Sequence, residues 1–107
     1  MPMTLSQFAS HVNAWLAERS KGADFWLGSP EAYAWEEETR EALRAFLLKL
    51  PNVLRVETDP EDPTGRTLRV SLIVWNDEGV AHEATVLILV DQAGWCVRTP
   101  DSSRCLP

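Results

Sequence analysis

Few residues in this chain have the types and spacing that chemistry demands. There are two histidines, His11 and His82. A general base needs a partner that positions it, and the sequence sets none beside either ring, so both read as structural or exposed. Glu37 and Glu41 share a helical face at i,i+4, a spacing that can hold a metal. No Glu-x-x-His or His-x-x-x-His accompanies them, and a solvated charge run is the plainer reading. Asp59, Glu61 and Asp62 resemble the start of a cation-binding loop. Pro60, Pro63 and the missing later ligands point instead to a turn. Cys96 and Cys105 are too far apart for a Cys-x-x-Cys redox motif; a tail folded back over the fourth strand would let them pair, but in a reducing compartment they are expected to be two thiols. No Gly-rich phosphate loop, nucleophile elbow or dinucleotide fingerprint is present. The residues therefore name no catalytic set, no metal site and no cofactor.

The unusual feature is tryptophan, with five in 107 residues. Trp15 and Trp35 fall on helical apolar stripes, where the two helices are expected to meet. Trp26 sits in Phe25-Trp26-Leu27, between the helices. Trp75 closes a strand and Trp95 opens another. Large aromatics in loops and on sheet faces are enriched at binding hot spots. The alternative for Phe25 and Trp26 is that they plug the end of the helix–sheet core.

The elements that must position these residues follow from periodicity. Leu5, Phe8, Val12, Trp15 and Leu16 recur at helical spacing, with Thr4 or Ser6 as cap and Gly22 as stop. A second helix opens with Ser29 as N-cap, Pro30 at its first position and Glu31 at the positive end of the dipole. Its apolar face runs through Ala32, Trp35, Leu43, Phe46, Leu47 and Leu50 to a stop at Pro51. Glu36 and Arg40, four apart, are expected on its solvated outer face.

Beyond Pro51 the period changes to two. Strands are expected over Val53–Thr58, Thr67–Trp75, Val80–Asp91 and Trp95–Thr99, followed by an irregular tail over 100–107. Breakers fill Asp59–Gly65, and Asn76-Asp77-Glu78-Gly79 reads as a hairpin turn. A three-residue loop with Gly79 left-handed sets Asn76 opposite Val80. Leu68 then faces Ile88, Val70 faces Val86 and Leu72 faces Ala84, one consistent apolar face. Loops of two or four residues would put Glu83 opposite Leu72. The other face carries Thr67, Arg69, Ser71, Ile73 and Trp75 beside Glu83, Thr85, Leu87 and Leu89. The last hairpin stays open at this point. A bulged turn at Gly94 puts Trp95 and Val97 on that second face, and a two-residue Ala93-Gly94 turn puts them on the core face.

The expected architecture is one α+β domain over 1–107, two N-terminal helices packed on one face of a four-stranded antiparallel meander in the order α-α-β-β-β-β. The closing Gly94-Trp95-Cys96-Val97 resembles the last hairpin of cystatin-like and NTF2-like domains. That resemblance implies a curved sheet used to dimerise or to hold a small ligand, as an alternative. Asn76-Asp77-Glu78-Gly79, Gly94-Trp95 and Cys105-Leu106 also occur in the order seen in MbtH-like proteins, but that family's Ser-x-Trp-Pro is absent and no residue is carried over.

The net charge of −6 disfavours nucleic-acid backbones and anionic membranes. Nothing from Met1 to Leu5 resembles an export signal, and Thr85–Val90 is too short to span a bilayer. The expected compartment is the cytoplasm. Together these readings favour a small acidic protein-interaction module, an adaptor, inhibitor or immunity-like partner. Its expected partner is another protein or a second copy of itself, and its contact residues are Phe25, Trp26, Ile73, Trp75, Leu87 and Leu89.

Overall fold

Thr4 opens the first helix with a reciprocal cap. Its hydroxyl accepts from Gln7 N–H at 3.1 Å while Gln7 Oε1 accepts from Thr4 N–H at 2.9 Å. In the computed structural model, which describes residues 3–107, helix α1 then runs Leu5–Ser20. Met1 and Pro2, part of the stretch read for an export signal, lie outside the described residues. Ser29 caps α2, Pro30–Leu48, accepting from Ala32 N–H at 3.1 Å. Strands β1 (Val53–Thr58), β2 (Thr67–Trp75), β3 (Ala81–Asp91) and β4 (Gly94–Arg98) follow. They form one antiparallel sheet in the order β1-β2-β3-β4. The chain is thus α+β with the order α-α-β-β-β-β.

The β2–β3 register is the one the turn dictates. Gly79 has φ +76° and donates to Asn76 O at 3.0 Å, and Asn76 N–H donates to Val80 O at 3.0 Å. The Asn76 side-chain oxygen accepts from Glu78 N–H and Val80 N–H. Leu68 lies opposite Ile88, Val70 opposite Val86 and Leu72 opposite Ala84. The last hairpin resolves the open choice. Asp91 pairs with Gly94, so the two loop residues are Gln92 and Ala93 rather than Ala93 and Gly94. Asp91 Oδ1 holds this loop by accepting from Ala93 N–H and Gly94 N–H. Trp95 pairs with Val90 and Val97 with Ile88, so both face the core.

The core lies between the helices and one sheet face. Phe8, Ala9, Val12 and Leu16 of α1 and Leu43 and Leu47 of α2 are fully buried against Val70, Leu72, Val86, Ile88, Val90 and Val97. The helices meet through Trp15 stacked on Phe46, ring centroids 5.5 Å apart, not through Trp15 and Trp35. Trp35 packs instead on Phe25 of the interhelix connection, also at 5.5 Å. No helix among the described residues is long and apolar enough to cross a membrane.

Two expectations are corrected. Glu36 is not on a solvated face: it is 2% exposed. It follows Ala32 by four positions and precedes Leu43 by seven, and Ala32, Glu36, Thr39, Leu43 and Leu47 make the buried stripe of α2. Arg40 therefore turns inward with it. Its Nη1 reaches Glu36 Oε1 at 2.7 Å and Val90 O at 2.9 Å. Arg66, from the β1–β2 loop, meets the same Oε1 at 2.7 Å. Secondly, Cys96 and Cys105 are a disulfide, not two thiols. The tail has no helix or strand, yet it returns along the outer edge of β4. Leu106 N–H donates to Val97 O at 2.6 Å, Asn13 Nδ2 donates to Leu106 O at 2.9 Å, and Trp95 Nε1 donates to Asn13 Oδ1 at 3.0 Å. That return brings the two Cα atoms to 5.1 Å, inside the range a disulfide spans. The thiol expectation followed from a reducing compartment, and with a disulfide present the cytoplasm is not confirmed.

Candidate interaction surface

Both helices pack on one side of the sheet, and among the described residues no other helix or strand covers the far side. A β-strand alternates its side chains, so the rows of that far face follow from the register. One row runs Glu57, Arg69, Leu87, Arg98 across the four strands. On one side of it lies Thr67, Leu89, Cys96 and on the other Arg55, Ser71, Thr85. Towards the β2–β3 turn come the pairs Ile73 with Glu83 and Trp75 with Ala81.

Four of the six sequence-predicted contact residues thus share one face. They do not form a single patch. Leu87 and Leu89 sit at one end, Ile73 and Trp75 at the other, and Ser71 with Thr85 separates them. Leu87 is only 5% exposed although the helices lie behind it. Arg69 and Arg98, both half-buried, flank it in its own row. Trp75, 37% exposed, is anchored through its backbone, its N–H donating to Met3 O at 2.9 Å.

The Leu87–Leu89 end is the floor of a surface groove of about 570 Å³. One wall is the β1–β2 loop with Asp59, Asp62 and Thr64, and the other is Arg98 with Pro100. Both walls are built. Asp62 accepts from Thr64 N–H, Thr64 Oγ1 and, at 2.6 Å, Thr67 Oγ1. The hydrogen bonds from Thr64 and Thr67, with the backbone N–H groups of Thr64 and Arg66, outweigh desolvation and hold its carboxyl down at about 2. Arg98 Nη1 donates to Thr99 O and to Ser102 O at 3.1 Å, fixing the turn that follows β4. The acidic trio read as a turn is therefore a turn, and it forms a wall of this groove.

Charge is divided between the layers. The exposed helical side carries Glu31, Glu37, Glu38 and Glu41. The far sheet face carries Arg55, Arg69 and Arg98 against Glu57 and Glu83.

Phe25 and Trp26 lie elsewhere, at the helical layer. Phe25 is half-buried against Trp35, and Trp26 is 87% exposed. His11, His82, Glu37 and Glu41 are exposed, and no polar partner positions either imidazole for catalysis. Among the described residues no three His, Cys, Asp or Glu side chains come together as metal ligands. Sequence reasoning missed Leu27 and Tyr33, 68% and 51% exposed. Their signal was Leu27 in a connection rich in breakers and Tyr33 off the apolar stripe of α2.

No family model matches the chain, and no curated protein or solved structure matches it.

Proposed function

We propose that this chain is a small protein-interaction module that binds a partner through the sheet face turned away from its helices. The observation that carries this reading is the uncovered face itself. Ile73, Trp75, Leu87 and Leu89 stand on it beside arginines, and Trp and Arg are the residue types most enriched at binding hot spots. The space between helices and sheet, where a small-ligand pocket would sit, is occupied by Phe8, Val12, Leu16, Leu43 and Leu47.

The double variant Trp75→Ala, Leu89→Ser tests this reading. Tagged wild type and variant are compared in pull-downs from the native cell, with light scattering of each purified protein beside them. A stoichiometric partner lost in the variant supports the module. A wild-type dimer that becomes a monomer in the variant assigns the same face to a second copy. If both proteins retain the same partners and the same mass, this face is not the contact surface.

A further inference from the structure

Trp26 and Leu27 are the most exposed large apolar side chains in the described chain, at 87% and 68%. Such exposure on a floppy loop would mean little, but this loop is pinned on both sides. Phe25, one residue before, packs on Trp35 with the rings tilted. Trp26 O accepts from Ser29 N–H at 3.0 Å, closing a turn. Gly28, with φ +82°, donates its N–H to Gln92 Oε1 at 2.6 Å. Ser29 then caps α2. The turn therefore presents Trp26 and Leu27 to solvent from a fixed backbone, which lowers the ordering cost of binding.

Leu27 and Tyr33 line a groove of about 270 Å³ with Asp91, Gln92 and Ala93, and Glu36 and Arg66 form part of its lining. Glu36 is buried, and its Oε2 has no hydrogen-bond partner. The surroundings are acidic. Asp24 precedes Trp26, Glu31 follows on the first turn of α2, and Asp91 lines the groove. None of these three is in an ion pair among the described residues. The one cation of the groove, Arg66, is already bound to Glu36.

From this juxtaposition we infer that the Trp26–Leu27–Tyr33 surface, which adjoins the sheet-face groove at Arg66 and Asp91, is a second docking site for a basic segment of another protein that carries large apolar side chains. Its apolar residues would pack on Trp26, Leu27 and Tyr33, and its Lys or Arg residues would meet Asp24, Glu31 and Asp91. Charge complementarity selects the sign of the partner, since an acidic or neutral apolar segment would leave these carboxylates unpaired at the contact. The site does not depend on the sheet-face reading, and its test leaves that face untouched.

The experiment uses three synthetic peptides of about fourteen residues, long enough for several turns of helix or an extended segment: one of Leu and Lys, one of Leu and Glu, one of Ser and Lys. Binding is followed by NMR of the intact disulfide-bonded chain, reading the Trp26 indole N–H and the Leu27 and Tyr33 amides. The Leu/Lys peptide is expected to move those signals, and the other two to move them at least about tenfold more weakly, because each lacks half of the recognition. Raising NaCl from about 50 to about 500 mM is expected to weaken the Leu/Lys complex severalfold. Trp26→Ser with Leu27→Ser, both exposed and so compatible with folding, is expected to abolish it. Equal binding of Leu/Lys and Leu/Glu, no binding, or shifts confined to the sheet face would each overturn the proposal. So would self-association of the free protein that the double serine variant removes, which would assign the patch to a second copy.

Discussion

Glu36→Ala is the substitution whose cost the structure specifies most closely. The carboxylate is 2% exposed and holds two guanidinium groups, Arg40 and Arg66, both at 2.7 Å. Removing one partner of a buried ion pair costs about 3–5 kcal/mol, because the remaining charge is left without compensation. Two features reduce that here. Arg40 keeps its bond to Val90 O, and the Arg66 side chain is 36% exposed and can turn to water. The expected loss is about 2–3 kcal/mol, or a fall of about 10–20 °C in Tm for a domain of this size. Urea unfolding followed by circular dichroism is the assay, with the midpoint expected to fall by about 1–2 M at unchanged slope. Glu37→Ala, next in sequence but exposed, is the control and is expected to stay within about 0.5 kcal/mol of wild type. Equal midpoints for Glu36→Ala and Glu37→Ala would refute the claim that Glu36 ties α2 to the β1–β2 loop and the end of β3.

Thr39 Oγ1 is buried with no hydrogen-bond partner, so Thr39→Val is expected to be neutral or to stabilise by up to about 1 kcal/mol in the same urea assay. The carboxyl of Asp62 is held down at about 2. A depressed folded-state pKa gives stability that is full above the ordinary value of 3.8 and is lost as pH falls towards 2. Thermal melts at descending pH are therefore expected to show an acid limb that Asp62→Asn flattens by about 1 kcal/mol, allowing for solvent screening. Glu36 adds to this limb with the same sign. Burial pushes its carboxyl up, but the hydrogen bond from Arg40 and the charges of Arg40 and Arg66 outweigh burial and leave it below its ordinary value. Cys96→Ser with Cys105→Ser is expected to cost about 2–3 kcal/mol, the loop-closure value for so short a loop. It should also speed hydrogen exchange at the Leu106 amide, which the tail holds against Val97 O.

The parts of the fold legible in the sequence are those governed by local rules. Ser29-Pro30-Glu31 announces α2, and Gly79 with Asn76 sets the register of the central hairpin, which in turn sorts Ile73 and Leu89 onto one face and Leu72 and Ile88 onto the other. The features that were not legible depend on where distant segments return. Cys96 and Cys105 are nine positions apart, and that spacing does not say that the tail runs back along β4. Glu36 and Arg40 have the i,i+4 spacing of a surface ion pair, and the competing fact, that Glu36 continues the Ala32–Leu43–Leu47 stripe, weighs against it only once Arg66 is known to arrive from another loop. Trp26 lies outside both helices, where periodicity assigns no face, so neither its exposure nor its separation from the sheet face had a sequence signal.

The claim that the far sheet face meets a partner protein is tested most directly by photo-crosslinking in the native cell. A photoreactive phenylalanine analogue replaces Ile73 or Leu89 on that face, or exposed Ala17 on α1 as the reference position. A discrete, heavier adduct from Ile73 and Leu89 and none from Ala17 is the predicted result. Adducts absent from Ile73 and Leu89, or equally strong from Ala17, would contradict it.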